Sequence, residues 1–129
     1  MSTTSAIFGA VLQALTPLGV PLYASVAEQG AELPFATLEL TSQQGELVHG
    51  AASDYRQVRV QLDLFARTYR EVDHLAEAVR RAVEGRPYTV GELSFHGVAL
   101  GEMDTFAEEE RIYRRMLDFQ FYFTTDSRF

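Results

Sequence analysis

The sequence predicts an α+β fold, a mainly antiparallel sheet with two helices packed on one face. Two segments carry apolar residues at spacings of three and four, which is the pattern of a helix with one buried side. Several other segments alternate apolar and polar residues, as strands with one buried face do. The order helix, strands, helix, strands therefore predicts an α+β domain.

The first predicted helix spans residues 5–15, where the apolar residues fall on one stripe. Pro17 and Gly19 follow it directly and predict its end. Residues 20–26 are mostly apolar but contain Pro21, which cannot donate a hydrogen bond within a sheet. This segment therefore predicts an edge strand.

Two strands are predicted on either side of a long connection. Residues 35–41 alternate after Pro34, and residues 55–66 alternate without a break, so the second strand is expected to be central. Residues 42–54 between them contain several small residues and few large apolar ones, which predicts a long exposed connection. Connections of this length are usually functional or mobile.

The second predicted helix spans residues 69–83 and has signals at both ends. Thr68 and Glu71 have the spacing of a capping box, in which each residue satisfies a backbone amide of the other. Gly85 and Pro87 follow the last apolar position and predict the end of the helix.

The last third predicts three strands. Residues 88–93 and 95–100 are short candidates, and an acidic run at 108–110 separates them from a long strand at 112–124. Both faces of this last strand are partly apolar. We therefore expect it to lie inside the sheet or to offer its second face to another subunit.

Composition limits the function classes. The 129 residues, 47% of them apolar, predict one domain over residues 1–129. Acidic residues outnumber basic ones by 18 to 11, for a net charge of −7, which disfavours sequence-specific nucleic-acid binding. The sequence has no cysteine, so disulfides and thiolate chemistry are excluded. It predicts no membrane-spanning segment.

No catalytic, cofactor-binding or metal-binding motif is recognisable in the sequence, so we expect no enzyme. His49, His74 and His96 are far apart in the chain and do not suggest a shared metal. The carboxylates of Asp73 and Glu77 lie one helical turn apart, which is typical of a solvated helix face. The alternative from another class is a small enzyme or ligand-binding domain, with a pocket between helices and sheet and His74 or His96 as its polar group.

An acidic block is followed directly by arginines near the last strand. Such blocks can pair head to tail between identical subunits, the acidic part of one meeting the basic part of the next. The candidate subunit contacts are Glu108, Glu109, Glu110, Arg111, Arg114 and Arg115.

The segment VRVQLDLFARTYREVDHLAEAVRRAV, residues 58–83, resembles the strand and helix of the tail completion, or tail terminator, proteins of long-tailed bacteriophages. In that family a strand of the form V-x-V-x-L-D-x-aromatic-A-x-T runs into a helix similar to L-A-E-A-V-R-x-A. The step from Leu33 through Pro34 to Phe35 and the terminal strand also resemble the family, as does the length.

The resemblance implies a virion structural protein at the head-proximal end of the tail, assembled in the host cytoplasm. It implies a ring, usually a hexamer, that caps the tail tube, stops its growth and offers a surface for joining the head. The implied partners are further copies of the chain, the tail tube protein and a head completion or connector protein, with DNA passing through the ring. The runner-up is a head-side completion or adaptor protein docking to the portal. The candidate contacts with tube or connector are Gln43, Gln44, Glu46, Leu47 and His49.

Overall fold

The computed structural model describes residues 3–27, 29–47, 53–84, 88–90 and 93–126. Its helices are α1 (Thr3–Leu15) and α2 (Tyr69–Val83), and a 3-10 turn (Thr16–Leu18) follows α1. The strands are β1 (Leu22–Ala24), β2 (Phe35–Leu47), β3 (Ser53–Ala66), β4 (Tyr88–Val90), β5 (Leu93–Ala107) and β6 (Ile112–Asp126).

The six strands form one sheet in the order β1-β2-β3-β6-β5-β4. The short edge strand β1 pairs parallel with β2, and the other neighbours pair antiparallel. The central strands β3 and β6 pair along their whole lengths, from Ser53 opposite Asp126 to Ala66 opposite Tyr113. The α+β prediction is confirmed, with a mainly antiparallel sheet.

The hydrophobic core lies between the helices and one face of the sheet. The buried residues of α2 recur at spacings of three and four, as an amphipathic helix requires. They are Val72, Leu75, Ala76, Val79 and Val83. The core residues contributed by the sheet are at most 2% exposed. They are Ala36, Leu38, Val58, Val60, Leu62, Leu64, Phe95, Leu117, Phe119, Phe121 and Phe123.

The signals at the helix ends act in part as predicted. The backbone amide of Glu71 donates to Thr68 Oγ1 at 3.1 Å, which caps α2. The Glu71 carboxylate accepts instead from the amide of Arg67, so the reciprocal half of the predicted capping box is wrong. The helix ends at Val83, and Gly85 and Pro87 lie outside the described residues. Gly19 ends the turn after α1 with a positive φ of 73°.

The predicted long connection at residues 42–54 is wrong for most of its length. β2 continues to Leu47 and β3 begins at Ser53, with residues paired up to Leu47 opposite Asp54. The sequence rule counts large apolar side chains, whereas the backbone hydrogen bonds of a hairpin continue through small and polar residues. Residues 48–52, which include His49, lie outside the described residues.

The short strand predicted at residues 95–100 is also too short. β5 continues to Ala107, but its register against β6 shifts between Ala99 and Gly101. The extra residue is a β-bulge, which moves the alternation of side chains by one position. Odd-numbered residues face the core before the bulge, and even-numbered residues lie on that side after it, so a single alternating pattern does not extend through the whole strand. Of the predicted strand at 88–93, residues 88–90 form β4, and Leu93 begins β5.

Candidate assembly surface

The acidic run forms an exposed turn at one end of the sheet. Residues 108–111 connect β5 to β6, and all four are exposed. Arg111 has a positive φ of 56°, the left-handed conformation that side chains other than glycine seldom adopt. The turn therefore presents three consecutive carboxylates beside one exposed guanidinium.

Arg115, by contrast, is buried within the chain. Its Nε and Nη2 donate to the two carboxylate oxygens of Asp104 at 2.7 and 3.1 Å, and its Nη1 donates to Asp73 at 2.8 Å. The guanidinium carbon also lies 5.2 Å from the centre of the Tyr69 ring. The Arg115 side chain is 4% exposed. This cluster ties the β5–β6 hairpin to the first turns of α2.

The charge of Arg115 is fixed by these contacts. The hydrogen bonds that Arg115 donates to Asp104 raise the pKa of Arg115 above its usual value, although burial acts in the opposite direction. Because the folded-state pKa is raised, these contacts contribute fully to the free energy of unfolding at every pH below the usual pKa of arginine. The contribution is lost only as the pH rises through the higher folded-state pKa. Asp73, predicted to belong to a solvated helix face, is one of the two partners of this cation.

Arg114 points to the opposite side of β6 and is also paired within the chain. Its Nη2 donates to Asp63 Oδ2 at 2.7 Å, and its guanidinium carbon lies 5.7 Å from the centre of the Phe65 ring. The Asp63 carboxylate is 10% exposed and also accepts from Gln61 Nε2 at 3.1 Å. Two of the three predicted interface arginines thus have their partners inside the chain, and Arg111 stays exposed.

The face of the sheet that points away from the core carries a row of charged and polar side chains, which we call the open face. Arg59 and Asp118 form a two-pronged contact there, from Nε at 3.1 Å and from Nη2 at 2.5 Å. The hydrogen bonds that Arg59 donates to Asp118 raise the pKa of Arg59. Asp63 and Arg114 form a second ion pair, so the open face carries two pairs of opposite charges.

The predicted tube or connector contacts lie at the other end of the sheet. In backbone terms Gln43, Gln44, Glu46 and Leu47 are strand residues, paired with Val58, Gln57, Tyr55 and Asp54. The hairpin that they form is level with the start of β5, whereas the acidic turn follows the end of β5. The two sets of predicted contacts therefore lie at opposite ends of the strands.

Sequence reasoning missed a second surface, along the outer edge of β5. β4 covers β5 only from Leu93 to Phe95, and Glu84 forms a bridge at Gly97. The backbone amide of Ala99 donates to the Glu84 carboxylate at 3.2 Å. Beyond it, within the described part of the chain, residues 100–107 have β6 as their sole strand neighbour. Exposed apolar side chains lie on this strand, namely Val98, Leu100, Met103 and Phe106.

The two described histidines do not share a site. His74 is exposed on α2, while His96 stacks on Tyr122 on the open face, because its neighbour Phe95 faces the core. The space between helices and sheet is lined entirely by apolar side chains and is packed too tightly to admit water. An open depression of about 550 Å³ lies near Glu32 and Arg67.

Two kinds of feature are absent from the described residues. Within these ranges there is no group of three or more His, Asp or Glu side chains placed to hold a metal ion. Likewise, no helix in the described ranges is long and apolar enough to cross a membrane.

Comparison with known families identifies the chain. Residues 9–124 match the sequence model of the family described as tail completion protein gp17. The chain belongs to this family. The resemblance noted in the sequence is thereby confirmed, and membership supports a structural role in a phage-type tail. A search of curated protein sequences finds no match for this tail completion protein.

Among solved structures, this tail completion protein is similar to a chain from the virion of a native gene transfer agent particle. The TM-score is 0.59 at 17% identity, over 90% of this chain and 92% of that one. At this identity the likeness shows a shared fold.

Proposed function

We propose that the chain forms a ring, a hexamer in the form the family resemblance implies, on the end of a phage-type tail tube. The ring stops tube growth and offers the surface to which the head, through its connector, is joined. The match to the tail completion family over residues 9–124 carries this proposal. In the assembled particle the partners are further copies of the chain, the tube protein and the connector, and DNA passes through the ring.

The two ends of the sheet suit two different contacts. The acidic turn continues directly from β5, so Glu109 and its neighbours approach the copy that lies beside that strand. The paired stretch of β2 and β3 up to Leu47 and Asp54 lies at the opposite end, where Gln44 and Glu46 contact the tube or the connector.

The primary experiment measures the mass of the purified protein over a concentration series, alone and with purified tail tubes, and images the largest species by negative stain. Rings of about six copies, free or on tube ends, support the proposal. A protein that forms no ring under either condition contradicts it. Binding to portal complexes in preference to tubes would instead favour a head-side adaptor.

The acidic turn is tested by Glu109→Arg. We expect weaker ring formation with an unchanged melting temperature, because the turn is exposed. Glu32→Arg is the matched control, since it makes the same change in net charge at another exposed position. Equal ring formation by the two variants would exclude the turn as a subunit contact.

A further inference from the structure

Two strand edges of the sheet have no strand neighbour over much of their length, and they lie on opposite sides. On one side, residues 100–107 of β5 are uncovered beyond β4. On the other, β1 covers β2 only from Ala36 to Leu38, and Ser25 donates to the Leu38 carbonyl. Within the described residues, positions 39–47 of β2 have β3 as their sole strand neighbour. In the described part of the chain, these stretches therefore turn backbone donors and acceptors outward without a strand partner.

Two of the devices that keep such edges apart are missing from β5 beyond its bulge at Ala99 and Gly101. Monomeric proteins protect long edges with proline or with unpaired charges, among other means. β5 contains no proline, and its acidic residues Glu102 and Asp104 are neutralised by Arg80 and Arg115 of the same chain. Met103, which points to the open face, is 59% exposed. This edge is therefore suited to pairing with another strand.

The strand directions suit a second copy of this chain as the partner of the β5 edge. β2, β3, β6 and β5 are four strands in antiparallel succession, so β5 runs opposite to β2. Rotation of a copy about an axis along the strands preserves their directions. The β5 edge of one copy then meets the β2 edge of the next in antiparallel orientation, the more stable pairing per residue. A contact between two different patches of identical chains generates a ring when the rotation closes.

The positions of the two edges along the strands also fit a closed sheet. Glu102 is level with Leu38 across the sheet, through Leu117 and Leu62, so residues 100–107 lie level with the covered part of β2. The two uncovered stretches are thus offset by roughly six residues along the strands. Closed sheets require tilted strands and a fixed stagger of the register, and a stagger of about six residues per copy would bring the two stretches level.

We propose that residues 100–107 of β5 pair with residues 39–47 of β2 in the next copy, so that the sheet continues from subunit to subunit around the ring. This inference rests on the proposed ring and adds the surface that builds it. The acidic turn, which follows β5, lies against the same neighbour.

Disulfide cross-linking tests the pairing in a chain that has no cysteine of its own. Ser42→Cys, opposite Arg59 in the sheet, is combined in turn with Met103→Cys, Thr105→Cys or Ala107→Cys on the open face of β5, which samples the registers around the proposed pairing. Within one chain β2 and β5 are separated by two strands, about 14 Å, too far for a disulfide. At least one pair is expected to give a covalent ladder on oxidation, while each single variant stops at dimers.

A second variant separates edge pairing from other contacts. Met103→Lys places a charge on the edge and is expected to weaken ring formation at least tenfold, with an unchanged melting temperature. His74→Lys, at an exposed position on α2, is the control and is expected to assemble normally.

The outcomes distinguish the two proposals. Rings by mass and imaging without a ladder from any of the three pairs would overturn edge pairing and leave the ring intact. Normal rings from Met103→Lys with loss of tube binding would assign the edge to the tube protein and overturn the inference. Failure to form rings, both free and on tubes, would overturn both proposals.

Discussion

At the scale of single residues, Arg115 shows how a charge can serve the fold. Arg115→Ala removes three hydrogen bonds to Asp104 and Asp73, and we expect it to lower the free energy of unfolding by about 1.5–3 kcal/mol, the range for a hydrogen bond to a charged group. Arg115→Lys keeps the charge but loses the planar fork, so it should recover only part of this stability. Urea unfolding of the variants measures both values. A lysine variant as stable as the parent would refute the role given to the fork.

Gly97 is required by its distance from an aromatic ring. A Cβ atom at this position would lie 2.6 Å from Phe121 Cε1 and 3.2 Å from the Val83 carbonyl oxygen. Phe121 is 1% exposed and packs edge-on against Phe95, so the ring has little room to move. Gly97→Ala should therefore destabilise the protein by about 1–3 kcal/mol.

The same strand offers a control for that substitution. A Cβ atom at Gly101 would meet no atom within 4 Å, so Gly101→Ala should leave the stability nearly unchanged. Thermal unfolding of the two variants makes the comparison. If Gly97→Ala and Gly101→Ala lost the same stability, the cause would be a general cost of alanine in β5 and not a clash with Phe121.

At the scale of elements, α2 depends on its cap. Thr68→Ala removes the acceptor of the Glu71 amide and should cost about 1 kcal/mol, the typical contribution of such a cap. Thr68→Ser keeps the hydroxyl and should retain most of the stability. Chemical unfolding monitored by circular dichroism gives both differences, and a serine variant as unstable as the alanine variant would count against the cap.

The elements also show what the sequence could and could not predict. The predicted bounds of α2 agree with the observed ones because its apolar stripe and its Thr68 cap both act locally. Those of β5 do not, because the bulge at Ala99 and Gly101 interrupts its alternation. The acidic turn was correctly placed between two strands. The partners of Arg114 and Arg115 could not be predicted, since Asp63 and Asp73 are 51 and 42 positions away and become neighbours only in the folded sheet.

At the scale of the whole molecule, net charge opposes assembly. Each copy carries a net charge of −7, so neighbouring copies repel one another. Salt screens this repulsion, and the Debye length falls from roughly 10 Å at 0.1 M to roughly 3 Å at 1 M. Ring formation by analytical ultracentrifugation should therefore strengthen with ionic strength. Weaker assembly at high salt would indicate that pairing of the acidic turn with arginines outweighs the repulsion.

The whole-length pairing of β3 with β6 has a consequence for how the chain enters an assembly. These two strands have partners on both sides, and their core residues lie beneath the helices. Their amides are expected to be the last to exchange with solvent, whereas those of the outer strands open first. A subunit can thus gain or lose neighbours at its edge strands while its central strands stay folded. Each copy is therefore already folded when it joins the particle, and assembly requires no refolding.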